Sequence, residues 1–226
     1  FVRFLDFQRL EEQNRRQAIE TAAERVRAAA MEMQSQDDLR NVAGVLYTEM
    51  HGLQINPPRV SVLFLDPHGG RDLDYGTHRN PRRYGLDWTS PNVVEYNDEV
   101  VTHVGELSEE WRERAVALQT TGQTQTTPFP WSLEFLVNYC RELGIVSDDL
   151  ETNPLLIEEW VGDWQCTSVP FDFGALLIWS RESNPEHTAV VEELATALNL
   201  GFVRFLDFQR LEEQNRRQAI ETAAER

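Results

Sequence analysis

The sequence predicts an α+β domain: an antiparallel sheet of five to six strands, helices packed on its faces, and long N- and C-terminal helices. Three observations predict it. The strand-like segments fall in sequential pairs joined by short turns, the pattern of hairpins, and do not alternate with helices as a parallel sheet requires. The best of them, residues 59–66 (RVSVLFLD), is β-branched and aromatic, with proline on both sides. A stretch of good helix formers without Pro or Gly, FVRFLDFQRLEEQNRRQAIETAAER, fills residues 1–25 and recurs letter for letter at 202–226.

Internal repeats set an architecture. This one brackets about one period of an array, so the chain reads as a linker helix (1–35), a domain (36–200) and a second linker helix (201–226). A recent duplication, a consensus design or engineered ends would each produce such identity.

The first helix is expected to run from Phe1 to about Met50, with a restart near Gln36 where Ser35 and Asp38 form a weak capping pattern. Leu39, Val42, Leu46, Met50 and Leu53 make its core-facing stripe. After the turn at Asn56-Pro57-Pro58 comes the 59–66 strand. Residues 67–70 are a turn, 71–77 the returning hairpin partner, and 92–104 one or two short strands broken near Asn97-Asp98. Residues 107–118 read as a helix capped by Ser108, with Glu109 and Glu110 at its positive end. Residues 120–130 (TTGQTQTTPFP) read as a loop, 131–143 as a helix ended by Gly144, and 147–159 as a short helix broken near Asn153-Pro154. The helical block 107–160 is therefore an insertion. Two last strands, 164–169 and 173–180, meet at Pro170, and the second is apolar throughout. From Pro185, with Ser183 or Asn184 as cap, a long helix carries Val191, Leu194, Leu198, Phe202 and Phe205 on one stripe, interrupted only by Gly201.

The linker helices carry a short heptad seam. Ile19, Ala22, Val26 and Ala29 continue a line that passes Leu10 and Asn14, and its counterpart holds Phe205, Leu211 and Asn215. A buried Asn in such a seam weakens a coiled coil while fixing its register. Dimerisation through these helices is the expectation, against a long solvated helix.

Charge excludes several classes. The net charge is −17, and each repeat copy is neutral, with five Arg against five Asp plus Glu, so the whole excess lies in 26–201. Such a surface repels phosphate backbones and anionic membranes. All 21 basic residues are Arg, which excludes Schiff-base and P-loop lysine chemistry. Two Cys make no disulfide framework and point to a reducing, cytoplasmic setting, and no run is long and apolar enough for a membrane span.

Residues 59–66, with Val169-Pro170 followed by Phe173-Gly174-Ala175-Leu176-Leu177, resemble the first strand and the closing strands of a GAF domain, a sensory module of bacterial signalling proteins related to the PAS fold. The resemblance covers about residues 26–201, and the flanking helices resemble the linkers that join GAF domains to each other and to histidine kinase or cyclase outputs. It implies a central antiparallel sheet, terminal helices together on one face and any ligand pocket on the other. It also implies a homodimer and an adjacent GAF or output module as partners. The family's cyclic-nucleotide signature needs a Lys this chain lacks, and no His follows Cys140 as in bilin-binding relatives.

No catalytic residue is assigned, and no cofactor is named. The five His (His51, His68, His78, His103 and His187) show no ligand spacing, and Asp66, Asp72 and Asp74 read as a solvated hairpin edge. The aromatic residues Trp88, Tyr96, Trp111, Trp131, Phe135, Tyr139, Trp160 and Trp164, with Asp163 in a Gly162 turn, are the candidate walls of a small-molecule pocket. A satellite core under the insertion is the competing reading. The function expected is non-catalytic: a sensory or regulatory domain passing a signal through its terminal helices to the next module. A ligand-free scaffold repeat that forms filaments is the alternative, and a GAF-type thiol reductase using Cys140 and Cys166 the second alternative.

Overall fold

The computed structural model describes residues 2–66, 71–145 and 147–224. The expected turn at 67–70 with His68, and the outermost repeat residues Phe1, Glu225 and Arg226, lie outside the described residues. Six α-helices and seven strands are present among the described residues: α1 (Val2–Met31), α2 (Leu39–Gly52), β1 (Arg59–Phe64), β2 (Leu73–Arg79), β3 (Val93–Asn97), β4 (Val100–Glu106), α3 (Glu109–Thr121), β5 (Gln125–Pro128), α4 (Leu133–Glu142), α5 (Pro154–Trp160), β6 (Gln165–Phe171), β7 (Gly174–Ser180) and α6 (Pro185–Ala224). The fold class is α+β, with one open antiparallel sheet in the order β3-β4-β2-β1-β7-β6-β5. None of the described helices is long and apolar enough to cross a membrane.

The strand count is seven, where five to six were expected. The extra strand is β5, whose polar residues Gln125, Thr126 and Thr127 read as loop. It is an edge strand with little to bury, held by its ladder to β6 and by the Thr126–Thr167 hydroxyl pair at 3.0 Å. The 107–160 block is thus not wholly an insertion, since it contributes a strand to the sheet. The last hairpin turns at Asp172-Phe173, and Pro170 sits inside β6. Pro170 lies beyond Ser168, the last β6 residue that β5 pairs, where a missing N–H is tolerated. The first helical stretch restarts near Gln36 as the Ser35 and Asp38 pattern implies: α1 ends at Met31 and α2 begins at Leu39, with residues 34–38 folded into a capping turn. The Asp38 carboxylate accepts the Gln34 and Ser35 backbone N–H groups, both at 2.8 Å, and those bonds hold its pKa below the ordinary value.

Strand alternation sends residues to two different cores. On one face Val60, Val62, Phe64, Tyr75, Leu176 and Ile178 pack under α1, α2 and α6. On the other, Leu63, Val101, Cys166, Ala175, Leu177 and Trp179 pack under residues of α3, α4 and α5. Each fully buried aliphatic side chain contributes about 1.5–3 kcal/mol against exposure.

Helices α1 and α6 lie side by side and point the same way. Arg15 meets Glu186 at the start of α6 at 2.7 Å, and the Gln209 side chain donates to the Gln34 carbonyl at 3.1 Å. Between them Gly201 lets the helices touch: a Cβ there would come within 2.5 Å of the Ala30 Cβ and 2.9 Å of the Arg27 carbonyl. The mid-helix glycine is a crossing point. The structure also spends much of the expected seam on the chain's own core. Ala22, Val26 and Phe205 are buried and Ile19 and Ala29 pack against the same cluster, whereas Leu10, Asn14, Leu211 and Asn215 are exposed.

Candidate functional site

Register builds the site on the second face. Arg59 opposes His78 across β1 and β2, and Ser61 opposes Gly76. Arg59, Ser61, Asp74, Gly76, His78, Cys166, Ser168 and Trp179 therefore share one side, a row of polar groups between apolar neighbours. Arg59 is 7% exposed. Its Nε donates to Ser61 Oγ at 2.9 Å and a terminal nitrogen donates to Asp74 Oδ2 at 2.5 Å. The guanidinium lies over the Tyr139 ring at 4.8 Å and the Trp179 ring at 5.4 Å, cation–π geometry for a desolvated cation. It reaches across Gly76, where a Cβ would stand 2.5 Å from it. Burial works against the charge on Arg59, Tyr139 and Asp74 favour it, and the balance raises its pKa.

Helices α4 and α5 close the chamber. Trp131 is fixed by a two-bond bridge to Gly162, at 2.9 and 3.0 Å, and Ser132 then caps α4 through the Phe135 N–H. That helix carries Tyr139 inward. Asn153 caps α5 and Pro154 starts it, which sets Trp160 at its last position. Trp131 meets Trp160 at 4.9 Å and Tyr139 at 5.6 Å, while His78 stands edge-on to Tyr139 at 5.8 Å and to Trp160 at 5.7 Å. A void of about 10 Å³ lies among His78, Tyr139, Cys140 and Trp160, about the room of one water molecule.

The chamber is unusual in what it leaves unpaired. Asp74 Oδ1, His78 Nε2, Trp131 Nε1, Tyr139 Oη and Trp179 Nε1 are buried and make no hydrogen bond to the described protein. Most buried polar atoms in folded proteins are paired. His78 Nδ1 faces the Arg79 carbonyl at 2.9 Å, so that nitrogen carries the proton and Nε2 is an acceptor. Burial first, then the nearby Arg59 cation, pushes the His78 pKa down to about 3, and burial lowers His103 to about 4. The two indole N–H groups, the phenol and the guanidinium make the site rich in donors. Such a set is complementary to acceptor atoms, and the void beside it has room for about one water molecule. The thiols differ: Cys140 and Cys166 are buried and free, and burial drives Cys140 up to about 11 and Cys166 upward, away from the thiolate a reductase needs. Among the described residues no group of three or more His, Cys, Asp or Glu could hold a metal.

Of the aromatic residues singled out in the sequence, Trp131, Tyr139 and Trp160 come together here. Trp164 is buried behind them, donating its indole N–H to the Trp160 carbonyl at 2.7 Å under the Arg181 guanidinium. Phe135 touches Trp131 edge-on at 4.8 Å but is 37% exposed. Trp88 and Trp111 are half-buried at the margin, each beneath an arginine. Asp163 is exposed, and Tyr96 lies against Gly44 of α2 on the opposite face, so neither joins the chamber. The chamber's polar members were missed. Asp74, read as solvated edge, is the partner of a buried cation. The available signal was Arg59 and Ser61 at alternate positions of an otherwise apolar strand. No protein-family model matches the chain, and no curated protein matches it significantly.

Proposed function

We propose that this chain is a GAF-like, non-catalytic sensory or regulatory domain that dimerises through its terminal helices and passes a signal to an adjacent module in the cytoplasm. One observation carries the reading. The two terminal helices pack in parallel on one face of an antiparallel sheet, and a buried, donor-rich chamber occupies the other face. A small ligand bearing acceptor oxygens would reach Arg59 only by parting α4 and α5 from the sheet, since the void there has room for about one water molecule, and that opening would bias the strands that α6 rests on. Helix α6 would carry that bias outward.

The outward stripe of the linkers supports the homodimer. Phe7, Leu10, Phe208 and Leu211 are between 54% and 59% exposed, and Asn14 and Asn215 lie on the same side at heptad spacing. Sedimentation tests this. The expected result is a dimer that Phe208→Glu with Leu211→Glu converts to monomer without loss of helicity. A monodisperse monomer at high concentration, with both linkers present, would sink the reading.

A further inference from the structure

The two copies of the repeated stretch have identical letters and different surroundings, and among the described residues Ile19 packs where its counterpart Ile220 is exposed. In the first copy the second half is packed: Ala22 is 1% and Ala23 5% exposed, Ile19 packs beside them, Arg15 pairs with Glu186 and Arg25 with Glu49. The matching Ile220 of the second copy is 61% exposed. There the first half is packed instead, with Phe202 1% and Phe205 5% exposed and Leu206 packed beside them.

At 3.6 residues per turn the two sets lie on one face. Copy positions 1, 4, 5, 19, 22 and 23 fall within roughly 100° of one another, and positions 7, 10 and 14 fall roughly 135° away. The outward stripe is exposed alike in both copies: Phe7 and Phe208 are 58% and 59% exposed, and Leu10 and Leu211 are 54% and 57% exposed. Fourteen residues, roughly 21 Å of helix, separate Leu206 from Ile220, and the inner face between them is polar.

We infer that residues 202–226 are a docking element for a second copy of this domain. Ile220 seats against the second copy's core cluster, which includes residues of α2 and α6, as Ile19 packs against that cluster here. One continuous helix then completes one domain with its first half and begins the next with its second half. The first copy supplies the occupant and the fit, because the groove that would receive Ile220 holds the same sequence already. The inference does not depend on the outward stripe pairing into a dimer, since it uses the opposite side of the helix.

The test titrates a fluorescein-labelled peptide of residues 202–226 with the full chain and reads anisotropy. In the wild-type chain the peptide competes with the chain's own α1. In an Ile19→Glu chain that competitor is weakened, and binding is expected to tighten by about tenfold or more. A peptide with Ile220→Glu is expected to bind at least about tenfold more weakly to either chain. A peptide with Phe208→Glu and Leu211→Glu is expected to bind like the unaltered one, which separates this docking from the dimer seam. Should Ile19→Glu lose its helical circular dichroism, the wild-type chain decides, through the contrast between the unaltered and Ile220→Glu peptides. Absence of saturable binding, or equal binding of those two peptides, overturns the inference, as does loss of binding only in the Phe208, Leu211 peptide.

Discussion

The two faces of the sheet are built from alternate residues of the same strands, yet they are different materials. The face under α1, α2 and α6 is filled by Val60, Val62, Phe64, Leu176 and Ile178, and its buried polar pair, Thr77 and Thr102, is satisfied hydroxyl to hydroxyl at 3.0 Å. The face under α3, α4 and α5 holds a buried Arg59 with a partly buried Asp74, a neutral histidine and four tryptophans, and leaves five polar atoms unpaired, against Tyr47 Oη, Arg27 Nε and Arg40 Nε on the helices of the first face. Apolar burial is sufficient to build a face, as the first one demonstrates. The second carries polar groups that packing alone does not require, because a buried ion pair is often no more stabilising than well-packed apolar groups of the same volume. Under the proposed function, the first face supplies stability and the second recognition.

Five substitutions or conditions break or sharpen that contrast. Leu176→Ala on the first face removes a fully buried β7 side chain beneath the helices and should lower the unfolding free energy by about 3–4 kcal/mol in urea. Asp74→Ala leaves Arg59 buried without its carboxylate and should lower it by about 3 kcal/mol. Arg59→Met combined with Asp74→Leu should return to within about 1 kcal/mol of wild type, because no orphaned charge remains. A double variant as unstable as Asp74→Ala would mean that the pair holds the fold together, and the contrast would collapse.

The pH dependence follows from His78. Its folded pKa is depressed to about 3, against 6.5 when unfolded. The unfolded chain takes up the proton first, so stability is complete above pH 6.5 and falls as pH drops below it, by about 1.4 kcal/mol per pH unit, until the folded pKa is reached. His78→Asn should flatten that slope between pH 6.5 and 4.5 in thermal melts, and an unchanged slope would remove His78 from the account. The smallest effect belongs to the helix crossing. Gly201→Ala gains helix propensity but drives a methyl against Ala30, for a net loss of about 1 kcal/mol by denaturation.

The sequence showed more of the first face than of the second. Apolar stripes such as Leu39, Val42, Leu46 and Met50 mark a helix that covers a core, and each of these is buried as its spacing implies. Strand β1 was legible from its β-branched run. Strand β5 was not, because QTTP buries almost nothing and is held by its ladder to β6 and by threonine side-chain hydrogen bonds. In the chamber, large aromatic side chains announced themselves, and three of them converge. Arg59, Asp74 and His78 did not, because their meaning lies in register: β1 and β2 must pair before a cation at 59, a carboxylate at 74 and an imidazole at 78 become neighbours. Tyr96 shows the opposite failure, an aromatic residue of the right kind on the wrong side of the sheet.

The central claim is that a change in the chamber is felt by the helices across the sheet. Hydrogen exchange of the chain with Arg59→Met and Asp74→Leu measures this directly, because that pair is expected to leave overall stability near wild type. The account predicts that backbone amides of α6 between residues 186 and 206 change their exchange rates by about fivefold or more, the low end of ordinary coupling between sites. Changes confined to β1, β2, α4 and α5, with α6 exchanging as in wild type, would contradict it.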